Sequence, residues 1–259
     1  MVEQNLSIAA IQTQLVWENP TANLLQLGEK LASIHKPVDL ILLPEMFATG
    51  FTMQPQLFAA KMNGEEVRWM QQWAKEKNAV VCGSLAVEEN GKYYNRLFWV
   101  NPNGVIQTYD KRHLFSLSNE QEQYTAGEER LIVEYKGWKI CPLICYDLRF
   151  PVWSRNTEPY DLLLYVANWP ERRNYAWQSL LIARAIENQC YVAAVNRVGK
   201  DAHDVAHSGD TMIVDAMGVV LQHAEYMQAI VYAELDKNEL QKVRSGLPFL
   251  KDGDAFEIK

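Results

Sequence analysis

The sequence predicts an α/β protein in which two central β-sheets lie between outer helices, a four-layer single domain spanning residues 1–259. Three observations carry that prediction. Strand-like apolar runs outnumber what one open sheet usually holds. Amphipathic helical stretches separate several of those runs, the pattern of sheets covered by helices. No linker, low-complexity tract or tandem repeat divides the chain, whose 259 residues suffice for one large core.

The elements follow in order. Residues 7–13 read as a first strand, and residues 23–34 as a helix with Leu24, Leu27, Leu31 and Ile34 on one face. Residues 39–43 form a short, nearly continuous apolar run ending at Pro44-Glu45, the pattern of a buried strand feeding a loop. Residues 64–77 suit a helix through Val67, Met70, Trp73 and Ala74, and residues 79–85 return to strand. Asn101-Pro102-Asn103-Gly104 joins strands at 93–100 and 105–109 as a hairpin. A polar segment at 116–130 leads to strands at 131–135, 138–144 and 161–166. Residues 175–188 read as a helix carrying Leu180, Leu181, Ala185 and Ile186. Strands at 190–196, 211–215, 219–222 and 230–234 come next, and a polar, turn-rich tail closes the chain.

Composition narrows the function class. With 48% hydrophobic and 22% charged residues the chain is an ordinary soluble globular protein. A net charge of −7 argues against nucleic acid or an anionic membrane as partner. Cys82, Cys141, Cys145 and Cys190 lie in apolar, strand-like surroundings without metal or redox spacing, which suits a reducing cytoplasm. Residues 1–6 lack the basic region and apolar core of a signal peptide, and no run approaches the roughly 18 apolar residues of a spanning helix.

Chemistry gathers at three strand ends. The run Lys139-Ile140-Cys141-Pro142-Leu143-Ile144 delivers Cys145 to a strand terminus, where the strand fixes the sulfur and the following turn opens backbone N–H groups. Glu45 follows Leu40-Ile41-Leu42-Leu43-Pro44, and Lys111 sits within Tyr109-Asp110-Lys111-Arg112-His113-Leu114-Phe115. Each has an ordinary reading alone: a buried core thiol, a surface carboxylate, a solvated basic patch. Together they supply what attack on an amide or nitrile carbon needs. A thiolate is the nucleophile, a carboxylate takes the thiol proton and later activates water, and a cation steadies the oxyanion. None of the five histidines (His35, His113, His203, His207, His223) is an identified base partner for Cys145. His203 and His207 are four apart, but the glycines around them make a loop rather than a helix, and no third metal ligand is nearby. No nucleotide-binding glycine loop appears, so no cofactor is expected.

At these motifs the chain resembles the nitrilase superfamily of carbon–nitrogen hydrolases, and within it the omega-amidase branch. The matching segments are Leu42-Leu43-Pro44-Glu45-Met46-Phe47, Tyr109 to Phe115 as quoted above, and Cys145-Tyr146-Asp147-Leu148-Arg149-Phe150-Pro151, with later family-like segments at 183–189 and 207–211. The resemblance implies an α-β-β-α sandwich, a homodimer, and a catalytic triad of Glu45, Lys111 and Cys145. It further implies a second glutamate after the lysine. Glu120 and Glu122 compete for that place, and Glu122, standing five residues before Gly127 as in the family pattern, is preferred. Phe47, Tyr146, Asn168 and Trp169 are pocket candidates, and Arg149, Arg172 and Arg173 are nominees for a substrate carboxylate. The implied substrates are small 2-oxo dicarboxylate monoamides, 2-oxoglutaramate or 2-oxosuccinamate, with carbamoyl compounds, nitriles and other aliphatic amides as alternatives. A noncatalytic scaffold is the reading from another class. A glutamine- or amide-donor transaminase is the implied pathway partner, since it would make the 2-oxo amide.

Overall fold

Period-two alternation decides which layer each strand faces. In β1 (Asn5–Gln12), Leu6, Ile8 and Ala10 enter one core while Ala9 and Ile11 enter another. The same split separates Leu40 and Leu42 from Ile41 in β2 (Leu40–Leu42). The structure, a computed structural model, describes residues 5–258.

The first sheet also contains β3 (Ala60–Lys61), β4 (Val80–Glu89), β5 (Lys92–Val100) and β6 (Ile106–Asp110). β1, β2 and β4 run parallel, and β5 and β6 follow as an antiparallel meander. α1 (Pro20–Ala32) is capped by Asn19, whose side chain accepts from Ala22 N, and Pro20 opens its first turn. With α3 (Glu65–Lys77) it covers the outer face through Leu24, Leu27, Leu31, Val67, Met70 and Ala74. Between them a short turn, α2 (Pro55–Phe58), leads into β3.

The second sheet follows α4 (Glu120–Gln123). It comprises β7 (Val133–Tyr135), β8 (Trp138–Ile144), β9 (Leu162–Ala167), β10 (Tyr191–Asn196), β11 (Val198–Lys200), β12 (Ala206–Val214) and β13 (Val220–Glu225). Its order is β11-β12-β10-β9-β8-β7 with β13 beside β12, and β8, β9 and β10 are parallel. α5 (Asn174–Asn188) packs on it through Trp177, Leu181 and Ala185. The chain then returns to the first sheet as β14 (Ala229–Asp236), antiparallel to β1. One continuous core joins Leu6, Leu97 and Trp99 of the first sheet to Ile140, Leu164 and Val192 of the second. The four-layer expectation therefore holds.

Three local expectations need correction. β4 runs to Glu89 rather than ending near residue 85, paired along its length with β5. The segment read as a loop around His207 and Gly209 belongs to β12, which absorbs its irregularity as a bulge at Gly209 and Thr211. The closing tail contains a helix, α6 (Lys237–Gly246), whose cap is Asp236, accepting from Asn238 N and Glu239 N. Only Leu240 of that helix is buried, so no apolar stripe announces it.

Two glycines set close approaches that shape the site. A Cβ on Gly83 would lie 2.8 Å from Leu43 Cβ, so only glycine lets β4 press against the chain just before Glu45. A Cβ on Gly127 would lie 2.1 Å from the Asp110 carbonyl oxygen, next to Lys111.

Candidate active site

The carboxyl ends of β2, β6, β8 and β9 converge, the usual place for a site in parallel α/β sheets. Beyond β2 the chain reverses at Met46, whose φ is 42°, and Glu45 is left fully buried at the seam between the sheets. Its Oε1 accepts from Lys111 Nζ at 2.9 Å and Asn95 Nδ2 at 2.8 Å, and its Oε2 accepts from Asn168 N at 2.8 Å. The Asn168 side-chain amide also donates to the Glu45 carbonyl. Each carboxylate oxygen is thus held, and the side chain cannot rotate freely.

Lys111 follows β6 directly. Its ammonium, 1% exposed, sits between Glu45 and Glu120, with Glu120 Oε2 at 2.9 Å and Oε1 at 3.1 Å. Burial alone would lower its pKa, but the Glu120 and Glu45 carboxylates outweigh that and hold the ammonium well above its ordinary range. Burial raises the Glu120 carboxyl, Lys111 opposes that rise, and Glu45 adds to it.

Cys145 ends β8 and opens a 3-10 turn, Cys145–Arg149, with its own φ at 40°. The thiol is pushed well up by burial and by the Glu45 carboxylate, with Lys111 and the Asn168 backbone N–H pulling the other way. The site thus sets a buried thiol beside the Glu45 carboxylate and the Lys111 ammonium.

Above these groups opens a cleft whose lining includes Glu45, Phe51, Lys111, Phe115, Cys145, Tyr146, Arg149, Asn168, Trp169, Arg172, Arg173 and His207. The Arg149 guanidinium lies 4.8 Å over the Trp169 ring and that of Arg173 lies 5.0 Å over Phe115. Among the described residues none of the three guanidiniums has a carboxylate partner. Trp169 is fixed from behind by its indole N–H bond to the Arg173 carbonyl at 2.9 Å and by Trp177, ring to ring at 5.4 Å.

Two sequence expectations are overturned. Glu122 is exposed and Glu120 is the carboxylate at Lys111. Asn119, at φ 55°, turns the chain so that the first residue of α4 points inward, where Glu120 also accepts from Phe115 N and Asn95 Nδ2. Counting back from Gly127 misses this turn. Phe47 does not line the cleft; it is buried on the outer side of the first sheet, 5.7 Å from the Trp69 ring. Phe51 takes the cleft position instead, its ring 5.2 Å from Lys111 Nζ. Tyr146, Arg149, Asn168, Trp169, Arg172 and Arg173 all reach the cleft.

His203 and His207 do not form a metal pair. His203 is exposed and packs edge-on to Trp17, whereas His207 is buried and its pKa falls to about 4, chiefly through burial and then Arg197. Asp210, His223 and Glu225 bring ligand atoms within 4.8 Å of one another on β12 and β13. However, Asp210 already accepts from Gln178, His223 and Ser208, which leaves its oxygens engaged.

The family model for carbon–nitrogen hydrolases matches residues 7–245. The chain is similar to the omega-amidase YafV of Escherichia coli (strain K12), 44% identical over 254 residues that cover 98% of each chain. It is similar also to a 2-oxoglutaramate amidase of Bacillus subtilis (strain 168), 36% identical over 95% of this chain and 96% of that one. Among solved structures it matches XC1258 from Xanthomonas campestris, a CN-hydrolase superfamily protein with an arsenic adduct in the active site. The TM-score is 0.96 at 40% identity, covering 98% of this chain and 99% of that one.

Proposed function

The chain belongs to the carbon–nitrogen hydrolase family, and from that premise we propose that it is an omega-amidase. It would hydrolyse 2-oxoglutaramate or 2-oxosuccinamate to the 2-oxo dicarboxylate and ammonia. Glu45 takes the Cys145 proton, and the thiolate attacks the amide carbon. Lys111 and the Tyr146 backbone N–H stabilise the oxyanion. Glu45 returns the proton to the departing ammonia and then activates the water that cleaves the thioester, while Glu120 holds Lys111 in place.

The observation that carries the substrate reading is that Arg149, Arg172 and Arg173, none with a carboxylate partner among the described residues, line the same cleft as Cys145. A 2-oxo acid presents its carboxylate to those arginines while its distal amide reaches the thiol. Removing one partner of a buried charged pair weakens binding by about 2–5 kcal/mol, enough to discriminate strongly. Ammonia release should therefore show a kcat/KM for 2-oxoglutaramate far above that for a neutral aliphatic amide of equal length. The preference should shrink when Arg149 or Arg173 becomes methionine. Equal efficiency on both amides, or faster turnover of an N-carbamoyl amino acid, would remove the omega-amidase reading while leaving Cys145 chemistry intact.

A homodimer is also proposed. Exposed Ile186 of α5 lies against Gly218, between exposed Met217 and Val219, an apolar patch that a second copy would cover. Sedimentation of a single 29.8 kDa species at micromolar concentration would refute it.

A further inference from the structure

A residue with a side chain at φ 40° is strained, and such a turn persists only where its surroundings over-determine it. Next to Cys145, Asp147 bonds back to the chain just before the turn, at Ile144 N. This carboxylate is fully buried and collects four donors. Oδ2 accepts from Ile144 N at 3.1 Å and from the Tyr109 hydroxyl at 2.7 Å. Oδ1 accepts from His113 N at 3.1 Å and from His113 Nδ1 at 2.8 Å, where the ring nitrogen must be the donor because a carboxylate only accepts.

The positions of those donors matter more than their number. Tyr109 and His113 stand two residues either side of Lys111, while Ile144 and Asp147 bracket Cys145. One carboxylate therefore ties both flanks of the lysine to both flanks of the cysteine. The donors are themselves immobilised. The Tyr109 oxygen accepts from Arg112 N at 3.1 Å and Trp153 Nε1 at 3.0 Å, and the His113 ring is stacked on Phe150 with centroids 3.7 Å apart.

We propose that Asp147 is a positioning residue that sets the distance between the nucleophile and the cation, with His113 as its anchor on the lysine side. This rests on the reading of Cys145 as the nucleophile. An amide at 147 offers one accepting oxygen and an NH₂ group, so two of the four donors would face a donor instead. The turn and the lysine segment then lose their common reference. A displacement of order 1 Å at a reacting pair can lower the rate about 10²-fold.

Asp147→Asn in the full chain should lower kcat by about 30- to 100-fold. The KM for 2-oxoglutaramate should change less than kcat, because Arg172 and Arg173 lie outside the Cys145–Arg149 turn. Alkylation of Cys145 by iodoacetamide should slow in parallel. His113→Ala should lower kcat by about tenfold, while His113→Asn, whose side-chain nitrogen can donate where Nδ1 does, should recover most of it. If Asp147→Asn does not fold, the His113 pair decides the matter. A folded Asp147→Asn enzyme with kcat within threefold of the parent, a loss expressed wholly in KM, or equal effects of His113→Ala and His113→Asn would overturn the proposal. Cys145→Ala, assayed alongside, separates the two readings. An active Cys145→Ala enzyme defeats the nucleophile assignment, whereas an inactive one beside a fully active Asp147→Asn defeats only the clamp.

Discussion

Replacing Glu120 by glutamine keeps the size of the side chain and removes one of the two negative charges on Lys111. At the observed 2.9 Å separation and an effective dielectric near 20, that charge attracts the ammonium by about 6 kcal/mol before desolvation is counted. Breaking a buried pair usually costs about 3–5 kcal/mol, and Lys111 here keeps Glu45, so a net stability loss of about 1–3 kcal/mol is expected. The catalytic effect should be larger in proportion. Without Glu120 the ammonium should settle onto Glu45, which on the proposed mechanism removes the oxyanion donor and occupies the base at the same time. A loss of about 10²-fold in kcat corresponds to about 2.7 kcal/mol, within the attraction that holds the lysine in its present place. Glu122→Gln, on an exposed side chain, should leave kcat within twofold and stability within about 0.5 kcal/mol. Steady-state ammonia release and urea unfolding measure both quantities. If Glu120→Gln keeps more than a tenth of the parent kcat while Glu122→Gln loses more, the assignment of Glu120 fails.

Further outcomes follow from the same geometry. Since the Glu45 carboxylate helps raise the Cys145 pKa, Glu45→Gln should lower that pKa, read as thiolate absorbance near 240 nm, while turnover drops by about 10²–10⁴-fold; an unchanged or higher thiol pKa would contradict the pairing. His207 is buried neutral with a pKa near 4 against about 6.5 when unfolded, so the unfolded chain binds the extra proton between those values. Stability should then fall by up to about 3 kcal/mol as pH drops from 6.5 towards 4, and His207→Gln should flatten the urea midpoint over that window. Gly127→Ala would drive a methyl into the Asp110 carbonyl, and both melting temperature and kcat should fall; a variant with parental values would show that the 110–127 contact opens freely.

Much of this architecture is legible from apolar spacing, because most strands bury one or both faces and α1 and α3 carry a single apolar stripe. Where burial gives no pattern, the sequence is silent. α6 hides one leucine and is marked only by its Asp236 cap. Glu45 and Cys145 are legible because each follows a run of buried strand residues, and Lys111 because it follows a half-buried strand directly, so the strand end itself is the signal. Glu120 is not legible by spacing, since its inward direction depends on the left-handed Asn119 that precedes it. Phe47 fails as a pocket residue for a related reason: the reversal at Met46 sends its ring to the far side of the first sheet, and Phe51 arrives at the cleft only after the chain has turned again.

Glu45 and Lys111 hang from the first sheet, while Cys145 and Asn168 hang from the second. Neither layer owns a working set, and turnover reports how the two are docked rather than whether either is intact. Solvent creeping between the sheets would silence the enzyme while every strand remained hydrogen-bonded to its neighbours. Loss of activity should thus precede loss of far-ultraviolet ellipticity in a denaturant titration, making the reaction a gauge of the seam that no spectroscopic average over the backbone can match.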